Sequence, residues 1–342
     1  MSAGGEHATP AGGGASAGGE HATTAGGGAS AGGEHATTAG GGASSAVEHG
    51  PPGRRRFGAV RTIALFGLRE AVRRRVFVVV AALTVAYLVL YGLGTWQAFE
   101  AVEEEGAATG FVDIEPDVVA GATLLGLNMF GTLFLGTVLA VFLTLGAVRG
   151  DAERGLLQPL LVRPVPRRTL LIARFASAAV VCGAYVVAVF LVATVLTWAL
   201  GGWWPDRVVL PALELAAAVA ILCALSLAGS VFLASTANGI AVFMVFGAGL
   251  VAGLLGQIGE ALASDTLRDV ATTASWLLPF EALYQAALAA ITTDTVGFTR
   301  LAIDLGPFGG AQDFGPLLWP WALAYLGLVG AVAVRAFGAR DL

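Results

Sequence analysis

The chain has 342 residues, 56% of them hydrophobic and 13% charged, with a formal net charge of -5. So apolar a composition over this length excludes an ordinary soluble domain and predicts an all-α integral membrane protein crossing the bilayer several times. All 19 basic residues are arginine; without a lysine the chain cannot form a Walker P-loop, whose lysine reaches the nucleotide phosphates, so it is not itself an ATPase.

Residues 1–53 form a Gly/Ala-rich tail. A 14-residue unit, SAGGEHATPAGGGA and then SAGGEHATTAGGGA, begins at Ser2, Ser16 and Ser30. With almost no large apolar side chain, the tail cannot offset the entropy of ordering and is expected to be disordered. Its histidines, His7, His21 and His35 in the repeats and His49 just after them, are all the histidines of the chain. Ligands this mobile are not preorganised, so no metal site is expected there. The lack of histidine after residue 49 also excludes serine-histidine proteolysis and an HExxH zinc centre. No secretory leader is expected, because the first apolar run begins only at Val76.

Residues 54–75 place Phe57, Val60, Ala64, Leu68 and Ala71 at helical spacing, roughly opposite Arg69, Glu70 and Arg73. That pattern suits an amphipathic helix lying on the cytoplasmic membrane face. A permease-like body, residues 76–342, follows with six expected spans at about 76–93, 120–148, 170–200, 209–233, 240–258 and 317–337, each long enough to cross about 30 Å of hydrocarbon. Arginines cluster at 54–75, 149–174 and 335–340, while acids concentrate at 100–117, around Asp206 and at 260–313. By the positive-inside rule the arginine clusters are cytoplasmic, and an even span number puts both termini there, in the cell membrane.

Within the spans the sequence offers little ionic chemistry. Glu214 lies near the outer end of the fourth span, where partial hydration is expected, and Asn128 in the second reads as a helix-to-helix hydrogen bond. Cys182 and Cys223 read as small packing residues. Gly249 and Gly253 form a small-residue step that would let another helix approach closely. Residues 276–291 are apolar but short, and Pro279 and Glu281 argue against a seventh span; an interfacial or re-entrant helix on the outer side is expected, with Phe280, Leu283, Tyr284, Ala287, Leu288 and Ile291 on one face.

The densest interior feature is the loop 150–174, GDAERGLLQPLLVRPVPRRTLLIAR, between two long apolar runs. Gly150, Asp151, Glu153, Gly155, Leu157, Leu160, Leu161, Arg163, Pro164, Val165 and Arg167 follow a pattern that resembles the loop between the second and third membrane helices of type-2 ATP-binding-cassette (ABC) transporter permeases. Leu156, Pro166 and Arg174 depart from it. The lead-in helix and this loop look most like the branch with multidrug-type and nitrous oxide reductase maturation permeases, and the resemblance covers about residues 57–342.

The resemblance implies an exporter permease, a non-enzyme that couples ATP hydrolysis by a separate ABC ATPase subunit to substrate movement. ATP and Mg would be bound by that partner, with no cofactor in this chain. It also implies a second permease copy, membrane lipids around the pair and no nucleic acid. The coupling loop would comprise Gly150, Asp151, Glu153, Arg154, Gly155, Leu157, Leu160, Leu161, Arg163, Pro164 and Arg167, with Arg163 and Arg167 alternatively binding lipid phosphates. A membrane scaffold or assembly factor without a transport cycle remains the alternative, with a secondary transporter disfavoured by the scarcity of charges in the spans.

Overall fold

A computed structural model describes residues 75–106, 115–144, 167–304 and 311–339. The regular structure among those residues is all helix, with no strand: α1 (Arg75–Gly106), α2 (Pro116–Thr144), α3 (Arg167–Gly201), α4 (Val209–Phe232), α5 (Ser235–Ala261), α6 (Asp265–Leu277), α7 (Pro279–Ala290), α8 (Gly297–Asp304) and α9 (Leu318–Gly338). Six of them, α1 to α5 and α9, are long and apolar enough to cross a membrane. The tail and the 54–74 segment lie outside the described residues, as does the loop from 145 to 166.

Helix ends follow local chemistry. Pro116 and Asp117 open α2, a residue that needs no N–H partner followed by an acid facing the positive end of the helix dipole. Past α3, Gly202 takes φ +69 while its N–H reaches the Trp198 carbonyl at 2.9 Å, a left-handed stop that side chains disfavour. The first helix runs on beyond the expected limit at residue 93 to Gly106, because Gly94 to Glu104 contains nothing that breaks a helix; Glu100, Glu103 and Glu104 therefore sit on its last turns rather than in a loop.

The helices run alternately between two ends. One carries Arg168, Arg174 and Arg335; the other carries Glu103, Glu104, Asp117, Asp206, Asp265 and Asp313. At the centre stands α4, packed against α2, α3, α5, α7 and α9. Leu125, Met129 and Leu133 of α2, Cys182, Val186 and Phe190 of α3, and Leu215, Val219, Leu222 and Cys223 of α4 share one core with Phe280 and Leu283 of α7. The outer faces are as apolar as the core: Val78, Leu90, Met244 and Leu323 are more than half exposed, which is the surface that lipid rather than water would cover.

Most threonine hydroxyls inside the bundle are satisfied within their own helix, Thr132 being an exception. Thr84, Thr95, Thr137, Thr144, Thr194 and Thr197 each donate to the carbonyl four residues earlier at 2.7 to 2.9 Å. Three of them also cross between helices, Thr84 to Tyr185 and Thr197 to Tyr91, both at 2.6 Å, and Thr144 to Ser226 at 2.5 Å.

Candidate functional site

Of the coupling-loop residues, Gly150, Asp151, Glu153, Arg154, Gly155, Leu157, Leu160, Leu161, Arg163 and Pro164 lie outside the described residues; Arg167 opens α3. The structure does describe what the loop is attached to. At the end of α2, Thr144 shares a hydrogen bond with Ser226 of α4 at 2.5 Å. Asn238, one turn into α5, donates through Nδ2 to the Ser226 carbonyl at 2.9 Å. On the other side of the loop, Leu171 of α3 buries against Leu227 and Val231 of α4 and Ala333 and Phe337 of α9. Both helices that frame the loop are thus fastened to the last two turns of α4, one through hydroxyls and one through apolar packing.

The opposite half of α4 meets a helical hairpin. From the acid-bearing end α6 descends antiparallel to α5, with Gly256 beside Ala271 and Gly259 beside Arg268. Its 13 residues cover about 20 Å at 1.5 Å per residue, roughly half the length of α5. After the bend at Leu278, α7 climbs back along α4 and is buried on every side: 11 of its 12 residues are out of solvent. Its far end is tied to the start of α4, where the Asp206 N–H donates to the Ile291 carbonyl at 3.2 Å and Asp206 Oδ2 accepts from the Asp294 N–H at 2.8 Å. At the bend, Trp321 of α9 donates through Nε1 to the Trp276 carbonyl at 2.8 Å.

The small-residue step on α5 is the seat of this hairpin. A Cβ at Gly249 would stand 2.5 Å from the Phe280 ring, and one at Gly253 would stand 2.3 Å from Glu281 Oε1 and 2.6 Å from Gln285 Nε2. The expectation of an interfacial or re-entrant helix resolves to an enclosed, re-entrant one. The expected face was only part of it, since Glu281 and Gln285 are buried too.

Three polar expectations need correction. The fourth-span carboxylate faces inward rather than outward: Glu214 is 4% exposed and its Oε2 has no partner within the protein. Asn128 makes no interhelical side-chain hydrogen bond; Tyr87 donates instead to its backbone carbonyl at 3.3 Å, and both amide atoms are unpartnered. The bundle also holds a second carboxylate that the sequence argument used only to exclude a span. Glu281 is 1% exposed; its Oε1 accepts from Gln285 Nε2 at 2.9 Å, and its Oε2 has no donor. The α7 dipole favours a first-turn carboxylate by ~0.3–1 kcal/mol, whereas burying an unpaired charge costs several kcal/mol, so burial decides in favour of the neutral acid. Cys182 and Cys223 are free and buried, in line with packing roles.

Between the last turns of α1 and the first of α2 lies an open recess of about 420 Å³, lined by Ala98, Val102, Pro116, Val119, Ala120, Thr123 and Leu124. Its walls can hold apolar groups only.

The chain matches the family described as "ABC-2 family transporter protein" over residues 61–342. That is most of its length, and it includes all six candidate spans; the chain belongs to this family. No curated protein matches it.

Proposed function

As an ABC-2 family membrane component, this multi-pass protein is part of an ABC transporter, and we propose that it is the permease of an exporter driven by a separate ATPase. It would sit in the cell membrane with both termini and the arginine-bearing end cytoplasmic, as a pair of permease copies on two ATPase subunits that bind ATP and Mg. Within the family the loop sequence favours the branch resembling multidrug-type and nitrous oxide reductase maturation permeases.

The observation that carries the coupling reading is the double attachment of the loop's flanks to α4. A push on Gly150 to Arg167 moves α2 and α3. Through Thr144–Ser226 and through Leu171 against Leu227 and Val231, that push is delivered to the helix against which α7 packs at its other half. Closure of the ATPases would then shift α4 and lift the α6–α7 hairpin from its seat on α5, changing access at the acid-bearing end. The apolar outer faces and the apolar recess suit a hydrophobic cargo.

The test is charge reversal in the loop. Asp151→Arg with Glu153→Arg is expected to bury unpaired charge in the ATPase groove at a cost of roughly 3–5 kcal/mol and so to abolish co-purification of the cognate ATPase while the permease stays folded. Glu103→Arg with Glu104→Arg, on the exposed last turns of α1, should leave the complex intact. Wild-type ATPase recovery with the reversed loop would refute the coupling assignment and favour a scaffold.

A further inference from the structure

Glu281 is the most deeply buried carboxylate among the described residues, and it belongs to a helix that reaches the interior from one end only. Two independent observations point to a small ligand here. Its Oε2 and the neighbouring Gln285 Oε1 are both buried acceptors without donors. Both side chains are also close against α5 at Gly253, where a Cβ would stand 2.3 Å from Glu281 Oε1 and 2.6 Å from Gln285 Nε2, so the α5 side of the pair is filled while the hairpin is seated.

Among the described residues the surroundings supply no countercharge. On α4 the only acid, Glu214, faces Asp313 and Arg207 at the acid-bearing end. On α6, Arg268 pairs with Asp265 at 3.3 Å, and Asp269 lies on the same turns near the start of that helix. From α9 come Tyr325, beside Trp321, and Arg335 in the last turn at the far end. The facing stretch of α5 offers glycine backbone, and the Glu260 side chain is outside the described residues. The titratable neighbour within electrostatic reach is Tyr284, which is itself in reach of Tyr87 on α1.

We propose that Glu281 is a proton-binding site that latches the hairpin: protonated, it holds α6–α7 on the Gly249–Gly253 seat, and its O–H bond breaks to give a carboxylate and a proton in water when the hairpin lifts. The inference rests on the transporter reading above, in which the hairpin moves. The seated state binds the extra proton, so it is favoured at low pH and lost as pH rises. Between the ionisation ranges of the two states the lifted-to-seated ratio should grow by up to about tenfold per pH unit.

Infrared spectra of the purified permease in lipid nanodiscs test the proton directly, without any ATPase. At neutral pH the wild type should show the C=O stretch of a protonated carboxyl. Glu281→Gln should remove the Glu281 component of that band, Glu281→Asp should keep it at a shifted frequency, and Glu214→Gln should leave it in place. In vesicles with the ATPase bound, wild-type hydrolysis should rise with pH at the acid-bearing face, and Glu281→Gln should flatten that profile. A wild-type band that loses no component in Glu281→Gln, or that is absent altogether, overturns the proposal, as does an unchanged pH profile in Glu281→Gln. Failure of the ATPase to bind would instead count against the coupling loop and leave the infrared result standing.

Discussion

At its arginine-bearing end α4 is held by directed bonds, Ser226 to Thr144 and to Asn238, with Asn238 Oδ1 as the one orphan acceptor of that group. Along its other half α4 meets α7, where Glu281 and Gln285 satisfy one another once and leave an oxygen each without a donor. Hydrogen bonds in a bundle fix one geometry, because each allows little displacement; apolar packing around unsatisfied acceptors has less to lose when it separates. The hairpin's own directed bonds lie at its bend and its far end, Trp321 to the Trp276 carbonyl and Asp206 with Ile291 and Asp294, so the contrast assigns a fixed joint to α4 beside the coupling loop and a movable contact to the Glu281 seat between those ends.

The sharpest way to break the movable side is to fill its seat. Gly253→Val puts carbon where Glu281 Oε1 and Gln285 Nε2 now lie, and overpacking of this kind costs about 1–3 kcal/mol. Thermal unfolding in detergent should fall clearly for this variant, and a melting temperature equal to the wild type would show that α7 is not seated there. A smaller loss should follow at the fixed joint. Ser226→Ala removes the hydroxyl that Thr144 shares, and an intramembrane hydrogen bond is worth about 0.6 kcal/mol on average. The least effect is expected from Glu281→Leu with Gln285→Leu, since replacing both partners by apolar groups of similar shape is nearly neutral. If that double variant is less stable than Ser226→Ala, the two joints have been assigned the wrong way round.

Much of this was legible in the sequence because spans are a matter of length and hydropathy. Arginine clustering marked the two ends, and α4 could be placed to within a residue and α3 to within three residues of the observed helices. The Gly249–Gly253 step was visible as a place for close approach, though not what would approach. What the sequence hid was non-local. Glu281 reads as a reason not to cross a membrane, and that argument is sound for a span; a hairpin that enters and leaves by the same end escapes it, because its short helices borrow their enclosure from α4 and α5. Glu214 is a second such case: its depth along α4 suggests the membrane edge, while the inward packing of that turn, which leaves it 4% exposed, is set by the neighbouring helices. The 150–167 motif, the strongest signal in the chain, falls outside the described residues, so its role rests on sequence and on the joints at its flanks.

The movement of the hairpin can be tested by pinning it. The Cβ of Ala271 lies 3.4 Å from the position a Cβ would take at Gly256, close to the separation of about 3.5–4.5 Å that a disulfide spans. The native Cys182 and Cys223 are 0% exposed and so do not compete for an oxidant. Gly256→Cys with Ala271→Cys, reconstituted with the cognate ATPase, should retain ATPase binding. Its ATP hydrolysis should fall severalfold on oxidation and recover with reductant. Equal hydrolysis in the oxidised and reduced states, with the cross-link confirmed, would contradict the claim that ATPase work at the loop is delivered to the α6–α7 hairpin.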